Sequence, residues 1–203
     1  MPTKKLPFEI RPYQPSDLNA LYEICLLTAD GGKDASHLFA DKKLVGHFYA
    51  APYGVFEPDV CFIVTHNEKP CGFVVGTRCS QRFAQRCENE WFPQLRAQFP
   101  LLNSAPVSLN DKLISYLHQG YQPRPEYRDY PAHLHINLLP ETQGHGIGRK
   151  LMETFIENLK QLNVSGLHLE VSASNQTAIR FYEKMGFSQI AQFEHSFGYG
   201  IKF

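Results

Sequence analysis

The chain has 203 residues, a length that suits one domain or one domain with a large insertion, and 43% of them are hydrophobic, enough for a sizeable core. Twenty Lys and Arg residues balance twenty Asp and Glu residues, which argues against a general nucleic-acid or membrane-surface protein, since either would carry a basic excess. No stretch is long and apolar enough for a signal peptide or a membrane span, so we expect a cytoplasmic protein.

Apolar periodicity and turn residues predict an α/β protein. The predicted elements, in chain order, are a strand at 8–13, a helix at 18–28, a helix at 35–53 with an irregular exit at 51–53, and strands at 60–65 and 71–77. They continue with a helix at 82–98 apart from Pro93, a helix at 110–119, a strand at 133–138, a helix after residue 148, a strand at 167–171, a helix at 176–185, and strands at 188–193 and 197–201. Ser16 is a candidate N-cap of the first helix. Residues 80–131 do not continue the strand pattern, so we interpret them as a helical insertion into a single domain of residues 1–203.

The cysteines and histidines do not predict a metal site. The five cysteines form no CxxC pair, and we expect free buried thiols. His133 and His135 have no acidic or cysteine partner at ligand spacing.

A glycine-rich turn between a strand and an amphipathic helix is the most informative stretch. Gly144, Gly146 and Gly148 precede a helix whose apolar face runs from Leu151 to Leu162. Glycines at a helix start leave backbone N–H groups open, and these groups form an anion site together with the positive end of the helix dipole. Arg149 adds positive charge against the dipole preference, which makes sense beside an anion such as a pyrophosphate. A tight turn with no ligand is the alternative.

Two other phosphate-binding motifs do not fit this turn. A Walker A loop requires GxxxxGK[ST], and the chain contains no such run. The dinucleotide fingerprint GxGxxG, started at Gly144, would require glycine at the position of Arg149.

At these residues the chain resembles the GNAT superfamily of acetyl-CoA-dependent N-acetyltransferases. The family signature [QR]-x-x-G-x-[GA], between a strand and a helix, is matched by Gln143, Gly144, His145, Gly146, Ile147 and Gly148. A second family pattern is matched by Asn175 and by Tyr182-Glu183-Lys184-Met185-Gly186-Phe187. The resemblance implies a mixed, mostly antiparallel sheet that is splayed at its centre, flanked by helices, and holds acetyl-CoA in the splay.

A narrower resemblance is to the acetyltransferase-like domain of O-GlcNAc hydrolases and its free-standing bacterial relatives. It rests on the segments 24–32, 37–39, 46–47 and 49–53. Since 203 residues leave no room for a glycosidase domain, a free-standing form is expected.

The resemblance to the superfamily implies roles for particular residues. The backbone at Leu138 and Leu139 would pair with the pantetheine arm, and an N–H near Leu138 would polarise the thioester carbonyl. The pyrophosphate would lie on the N–H groups from Gly144 to Arg149. Asn175 would contact the pantetheine arm, with a plain helix N-cap as the alternative. Tyr182 would protonate the leaving thiolate, with a core aromatic as the alternative.

The catalytic base is open at this stage. His133-Leu134-His135 is similar to the histidine pair of arylalkylamine N-acetyltransferases, which implies that His135 removes a proton. The pair stands one residue nearer to Gln143 than in that family, and a slip of one residue changes the face of a strand. A hydrogen-bonded buried histidine is therefore the alternative. A base role predicts a limb near neutrality in the pH–rate profile that His135→Ala removes.

Three polar residues are candidates for binding the acceptor. Asp30, Asp34 and His37 lie between the first two predicted helices, where the family places acceptor-binding residues, and two acids suggest a cationic amine. A solvated loop is the alternative.

The sequence therefore predicts N-acetyl transfer from acetyl-CoA to a primary amine, on a small molecule or a peptide, by direct attack and without a metal. A catalytically silent acyl-CoA-binding module is the second hypothesis. The chain is expected to act as a monomer or homodimer, with the paired C-terminal strands offering an edge for a dimer.

Overall fold

A seven-stranded sheet organises the molecule, in strand order β1-β2-β3-β4-β5-β7-β6. The structure is a computed structural model that describes residues 8–101 and 105–203. The strands are β1 Phe8–Pro12, β2 Phe62–His66, β3 Lys69–Thr77, β4 Ala132–Leu138, β5 Gly166–Ser172, β6 Ser188–Gln192 and β7 Ser196–Lys202. Neighbouring strands are antiparallel except β4 and β5, which are parallel. The mixed, mostly antiparallel sheet is as predicted.

Helices cover both faces of the sheet. They are α1 Leu18–Leu27, α2 Leu44–Tyr49, α3 Ala51–Phe56, α4 Ser80–Glu90, α5 Phe92–Gln98, α6 Leu109–Gln119, α7 Ile147–Gln161 and α8 Gln176–Lys184. The core on one face joins side chains of α1 to α6 to Phe73 and Val75 of β3. The core on the other face joins α7 and α8 to Val74 of β3 and Leu134 of β4. Because both faces are buried, β3 is apolar along most of its length.

The sheet opens between β4 and β5. These strands pair only at Ala132 with Leu167 and at His133 with His168. Further along, β4 stays paired with β3 up to Leu138, whereas β5 stays paired with β7 up to Ser172. The two halves of the sheet therefore diverge, and the predicted central splay is confirmed.

Helices α4, α5 and α6 lie between β3 and β4, in the segment interpreted as an insertion. Their apolar faces pack into the core on the α1 face, with Phe83, Phe92 and Leu117 almost fully buried. α6 begins with a capping box, in which Ser108 and Asp111 satisfy each other's backbone N–H groups.

Two predictions about local structure are wrong. Residues 35–53 form a turn-rich stretch followed by α2 and α3, and not one helix. The side chains of Asp34 and Asp41 accept hydrogen bonds from the backbone N–H two residues onward, which competes with helix formation. Ser16 lies inside a short 3₁₀ turn, and α1 begins after Asp17, whose carboxylate pairs with Arg11.

Candidate active site

The edge of β4 that faces the splay carries free backbone groups. The N–H of Leu139 donates to the carbonyl of Cys71 on β3 at 2.9 Å. Because consecutive residues of a strand point their N–H groups to opposite sides, the N–H groups of Leu138 and Ile136 face the splay. An extended ligand with amide groups can therefore pair with β4 where β5 has diverged.

The glycine turn presents a second set of backbone donors. Gly144 has φ +77° and Gly146 has φ +69°, a left-handed conformation that favours glycine. A Cβ added at either residue would meet nothing within 4 Å, so the space beside them is open. α7 starts at Ile147, and no side chain caps its N-terminus. The first N–H groups of α7 are thus available to an anion.

The side-chain contacts in the glycine turn indicate that most of its residues would act through their backbone groups. The ring of His145 lies 5.0 Å from the ring of Phe8 on β1. Gln143 is exposed and its N–H donates to the carbonyl of Pro140. Nε of Arg149 lies 2.7 Å from Oε1 of Glu153, one helical turn onward. These contacts leave the N–H groups unobstructed.

A cleft of about 500 Å³ occupies the splay. β4, β5 and α8 contribute Leu134, His135, Ile136, Asn137, Leu138, Leu169, Glu170, Val171, Ser172, Asn175, Ala178 and Tyr182. α1, α2, the loop between them and α6 contribute Cys25, Thr28, Ala29, Gly31, Gly32, Phe39, Val45, Tyr49, Leu109, Lys112, Leu113 and Tyr116. The structure therefore brings Leu138, Asn175, Tyr182 and His135 into one cavity.

Tyr182 lies in the cleft with a protonated hydroxyl. Its ring packs against Phe181 and Phe187, so it is also a packing residue. Burial raises the pKa of the Tyr182 hydroxyl to about 12. The hydroxyl therefore keeps its proton at neutral pH and can act as an acid.

Asn175 both caps α8 and lines the cleft. Its Oδ1 accepts a hydrogen bond from the N–H of Ala178 at 3.1 Å. This bond uses the side-chain carbonyl only, so the NH₂ group of the amide is left for a ligand. The cap and the ligand contact are compatible.

The two histidines of β4 have different surroundings. Nε2 of His133 lies 2.8 Å from the Tyr53 hydroxyl, and Nδ1 lies 2.7 Å from Oγ of Ser80. Since the Ser80 hydroxyl donates to the carbonyl of Pro131, the consistent arrangement has Nδ1–H of His133 donating to Ser80 and Nε2 accepting from Tyr53. His133 is thus a hydrogen-bonded structural histidine.

His135 faces the cleft, and its imidazole has no hydrogen-bond partner within residues 8–101 and 105–203. The rings of Tyr49 and Tyr53 approach it edge-on, each at 5.4 Å. Burial lowers the pKa of His135 to about 4. The expected limb near neutrality in a pH–rate profile is therefore not supported for His135, because this imidazole is already neutral at pH 6.

Glu170 is a cleft residue that sequence reasoning missed. Oε2 of Glu170 lies 3.2 Å from the hydroxyl of Tyr127 and 3.3 Å from Nε of Arg124. Oε1 accepts a hydrogen bond from Ser196 at 2.5 Å. Glu170 and His135 line both the cleft and a second cavity of about 170 Å³, so the two cavities meet at the splay. The alternation of the predicted strand 167–171 placed Glu170 on the same face as His168. Only the tertiary structure shows that Glu170 lies at the splay, because β4 and β5 pair no further than His133 and His168.

The family model described as "Acetyltransferase (GNAT) family" matches residues 34–187. The chain belongs to the GNAT acetyltransferase family. The match includes the glycine turn, Asn175 and Tyr182, so the resemblance inferred from these residues is confirmed.

Among solved GNAT-like structures, SsHAT is 34% identical, covers 97% of this chain and 98% of its own, and superposes with a TM-score of 0.90. The Protein O-GlcNAcase of Rattus norvegicus is 25% identical over 95% of this chain, and the match spans 21% of that protein. This chain thus corresponds to about a fifth of the O-GlcNAcase sequence. The [Ribosomal protein bS18]-alanine N-acetyltransferase of Escherichia coli K12 is 46% identical over 27% of this chain and 36% of its own.

GNAT structures with bound coenzyme A share the fold at lower identity. The PaiA N-acetyltransferase of Thermoplasma acidophilum, solved in complex with coenzyme A, is 15% identical with a TM-score of 0.57. It covers 98% of this chain and 100% of its own.

The acids predicted to bind the acceptor in this GNAT chain do not reach the cleft. Asp30, Asp34 and His37 are exposed, and the loop lines the cleft instead through Ala29 and its two glycines. Hydrogen bonds from Ser36 lower the pKa of Asp34, whose carboxylate thereby organises the loop. The role of the three residues stays a prediction.

Two further findings concern the described residues. No group of three or more His, Cys, Asp or Glu residues within 8–101 and 105–203 is arranged to hold a metal ion. None of the helices seen in those ranges has the length and apolar character needed to cross a bilayer.

Proposed function

We propose that this chain transfers the acetyl group of acetyl-CoA to a primary amine. The observation that carries the proposal is a single cleft with free backbone donors along β4 and the protonated hydroxyl of Tyr182 inside it. The uncapped N-terminus of α7 is next to this cleft, since a Cβ on Gly148 would lie 3.1 Å from the side chain of Leu138.

The residues present fit acetyl-CoA. The N–H groups of Leu138 and Ile136 face the splay and suit the amides of a pantetheine arm. Gly144 and Gly146 leave open space beside the N-terminus of α7, which suits a pyrophosphate. Leu138, Asn175 and the turn from Gln143 to Arg149 would therefore hold the donor. The backbone of Leu139, expected from the sequence to take part, is already bonded to Cys71 and Thr142.

Bound acetyl-CoA would supply an acetyl group activated as a thioester. One of the two N–H groups that face the splay would polarise the thioester carbonyl while the other pairs with the pantetheine arm, and a donor to such a carbonyl contributes about 3 kcal/mol to lowering a barrier. Tyr182 holds a proton on its hydroxyl and would deliver it to the sulfur as the thiolate leaves.

The acceptor amine is expected between β4 and β5. Glu170 is the only carboxylate among the described residues that line the cleft, so it is the group that attracts an ammonium ion and accepts its proton. His135 is neutral there and offers a hydrogen-bond acceptor to the amine.

The rival function is a module that binds acyl-CoA without catalysis. It is favoured by one observation: Glu170 is already bound by Arg124, Tyr127 and Ser196, which weakens it as a base. Both functions share the donor site and differ in turnover.

Calorimetry with coenzyme A, combined with an assay of acetyl transfer to a panel of primary amines, separates the two. Saturable binding together with an N-acetylated product identified by mass spectrometry would support the transferase. Binding without transfer to any amine would favour the module. Absence of coenzyme A binding would contradict both functions.

A further inference from the structure

One wall of the cleft is a single face of α6. Leu109, Lys112, Leu113 and Tyr116 all line the cleft, and their spacing of three and four residues places them on the same side of the helix. α6 belongs to the segment between β3 and β4, so that segment shapes the cleft directly.

The segment that follows α1 continues this apolar surface. Phe39, Val45 and Tyr49 line the cleft, and the segment packs against α6, with the ring of Phe48 6.2 Å from that of Tyr116. Burial of an apolar body against such a surface is favourable in proportion to the area removed from water.

One lysine and one glutamate are the Lys, Arg, Asp and Glu residues among the described lining of the cleft. Lys112 is the only Lys or Arg among its described lining residues. It forms no ion pair within 8–101 and 105–203, and the remaining ten residues of the chain contain no Asp or Glu. Glu170 is the only acid in the lining and already has three partners. The lysine of the cleft therefore has no ion-pair partner among the described residues, whereas the one carboxylate is already held by three side chains.

We propose that the acceptor is an amine with an apolar, aromatic body and an anionic group at a distance from the amine, and that Lys112 binds the anionic group. The proposal rests on the proposed function and names its substrate class. It replaces the cationic acceptor suggested by Asp30 and Asp34, which lie outside the cleft. A polyamine would be repelled by Lys112, and after one ammonium group has met Glu170 its second would find no further acid among the described lining residues.

Three probes with one aromatic body test the proposal. 4-(Aminomethyl)benzoate carries a carboxylate opposite the amine, benzylamine carries hydrogen there, and 4-(aminomethyl)benzylamine carries a second ammonium group. KM is measured for acetyl transfer to each probe. The dissociation constant is measured by calorimetry, with and without coenzyme A, so that acceptor binding is tested even if no transfer occurs. We expect the benzoate to bind about two- to fivefold more tightly than benzylamine, the range of an exposed ion pair, and the diamine to bind more weakly.

Charge reversal at Lys112 is the sharper test. Lys112→Glu is expected to invert the order of the three probes while leaving the dissociation constant of coenzyme A unchanged. Lys69→Glu, in the turn that starts β3 and outside the cleft lining, makes the same change in net charge and is expected to keep the original order.

The outcomes separate this inference from the proposed function. Equal binding of the three probes, or the same order in Lys112→Glu, would overturn the inference even if acetyl transfer is observed. Weaker coenzyme A binding in Lys112→Glu with no change among the amines would also overturn it, because Lys112 would then serve the phosphates of the donor. A benzoate preference that inverts in Lys112→Glu, seen by calorimetry without turnover, would support the inference and contradict the transferase.

Discussion

Oε2 of Glu170 lies 3.3 Å from Nε of Arg124, which joins the splay of the sheet to the proline-rich segment before β4. Both side chains are partly exposed, so the pair by itself contributes at most about 1 kcal/mol to stability. The ion pair between Glu170 and Arg124 matters because it fixes the position of the carboxylate. Together with Tyr127 and Ser196, Arg124 fixes the carboxylate beside the cleft that His135 faces.

Replacing Glu170 tests its role toward the amine. Glu170→Gln keeps the shape but removes the charge and the base, so kcat/KM for the amine is expected to fall about 100-fold while coenzyme A affinity stays the same. Steady-state kinetics and calorimetry measure the two quantities. Glu157→Gln, on the exposed side of α7, is the matched control and is expected to keep full activity. Full activity in Glu170→Gln as well would limit Glu170 to a structural role.

Tyr182 is expected to act as the acid. Tyr182→Phe removes the hydroxyl and keeps the ring packing, so kcat should fall about 100-fold with little change in the dissociation constant of coenzyme A. Tyr199→Phe is the control. It removes a hydroxyl that donates a hydrogen bond to Glu183, and Tyr199 does not line the cleft. Unchanged turnover in Tyr182→Phe would leave this residue as packing alone.

A single methyl group added to the glycine turn is expected to weaken coenzyme A binding. Gly146→Ala forces alanine into φ +69°, which costs about 1 kcal/mol of stability, and places the methyl group in the open space beside the N–H groups of α7. Coenzyme A affinity should fall about tenfold. Gly186→Ala, at φ +87° after α8, carries a similar strain and should lose stability without losing affinity. Equal affinity losses in both variants would show that the effect is not local.

The hydrogen bond between Tyr53 and His133 is expected to stabilise the fold. Tyr53 is fully buried, and Tyr53→Phe leaves Nε2 of His133 without its partner, so the free energy of unfolding should fall by about 1 to 3 kcal/mol. Urea unfolding measures the change. Tyr116→Phe, at a tyrosine 44% exposed, should change stability by less than about 0.5 kcal/mol. A loss as small in Tyr53→Phe would argue against this hydrogen bond.

Three histidines, one buried (His168) and two partly buried (His133 and His135), predict a loss of stability in weak acid. Burial lowers the pKa of His135 and His168 to about 4 and that of His133 well below its usual value. The unfolded chain, in which histidine has a pKa of about 6.5, binds more protons in this range, so the free energy of unfolding falls as the pH drops from 6.5 toward 4.

Urea unfolding between pH 7 and pH 5 measures this dependence. At pH 5 unfolding should take up about one proton for each of these histidines. His135→Gln should flatten the pH dependence, and an identical slope in the variant and the parent protein would contradict the neutral state of His135.

The sequence determined the features that depend on neighbours along the chain. Alternation over 133–138 and 167–171 predicted β4 and β5, and the glycine spacing after Gln143 predicted the turn and the start of α7. The pattern of Asn175 and Tyr182 was sufficient to place Asn175 at the cap of α8 and Tyr182 within it and, with the glycine turn, to identify the family. These signals are local because strand period, helix period and positive φ are properties of short segments.

Only the tertiary structure decided which side chains meet at the splay. The partners of His133, namely Tyr53 and Ser80, are 80 and 53 residues away, and Tyr127 is 43 residues from Glu170. Asp30 and Asp34 were candidates by position in the chain, yet their loop turns its glycines toward the cleft, whereas Lys112 and Glu170 reach it through α6 and β5. Such contacts depend on the register of β4 against β5 and on how distant segments pack, and neither is encoded in the period of a single element.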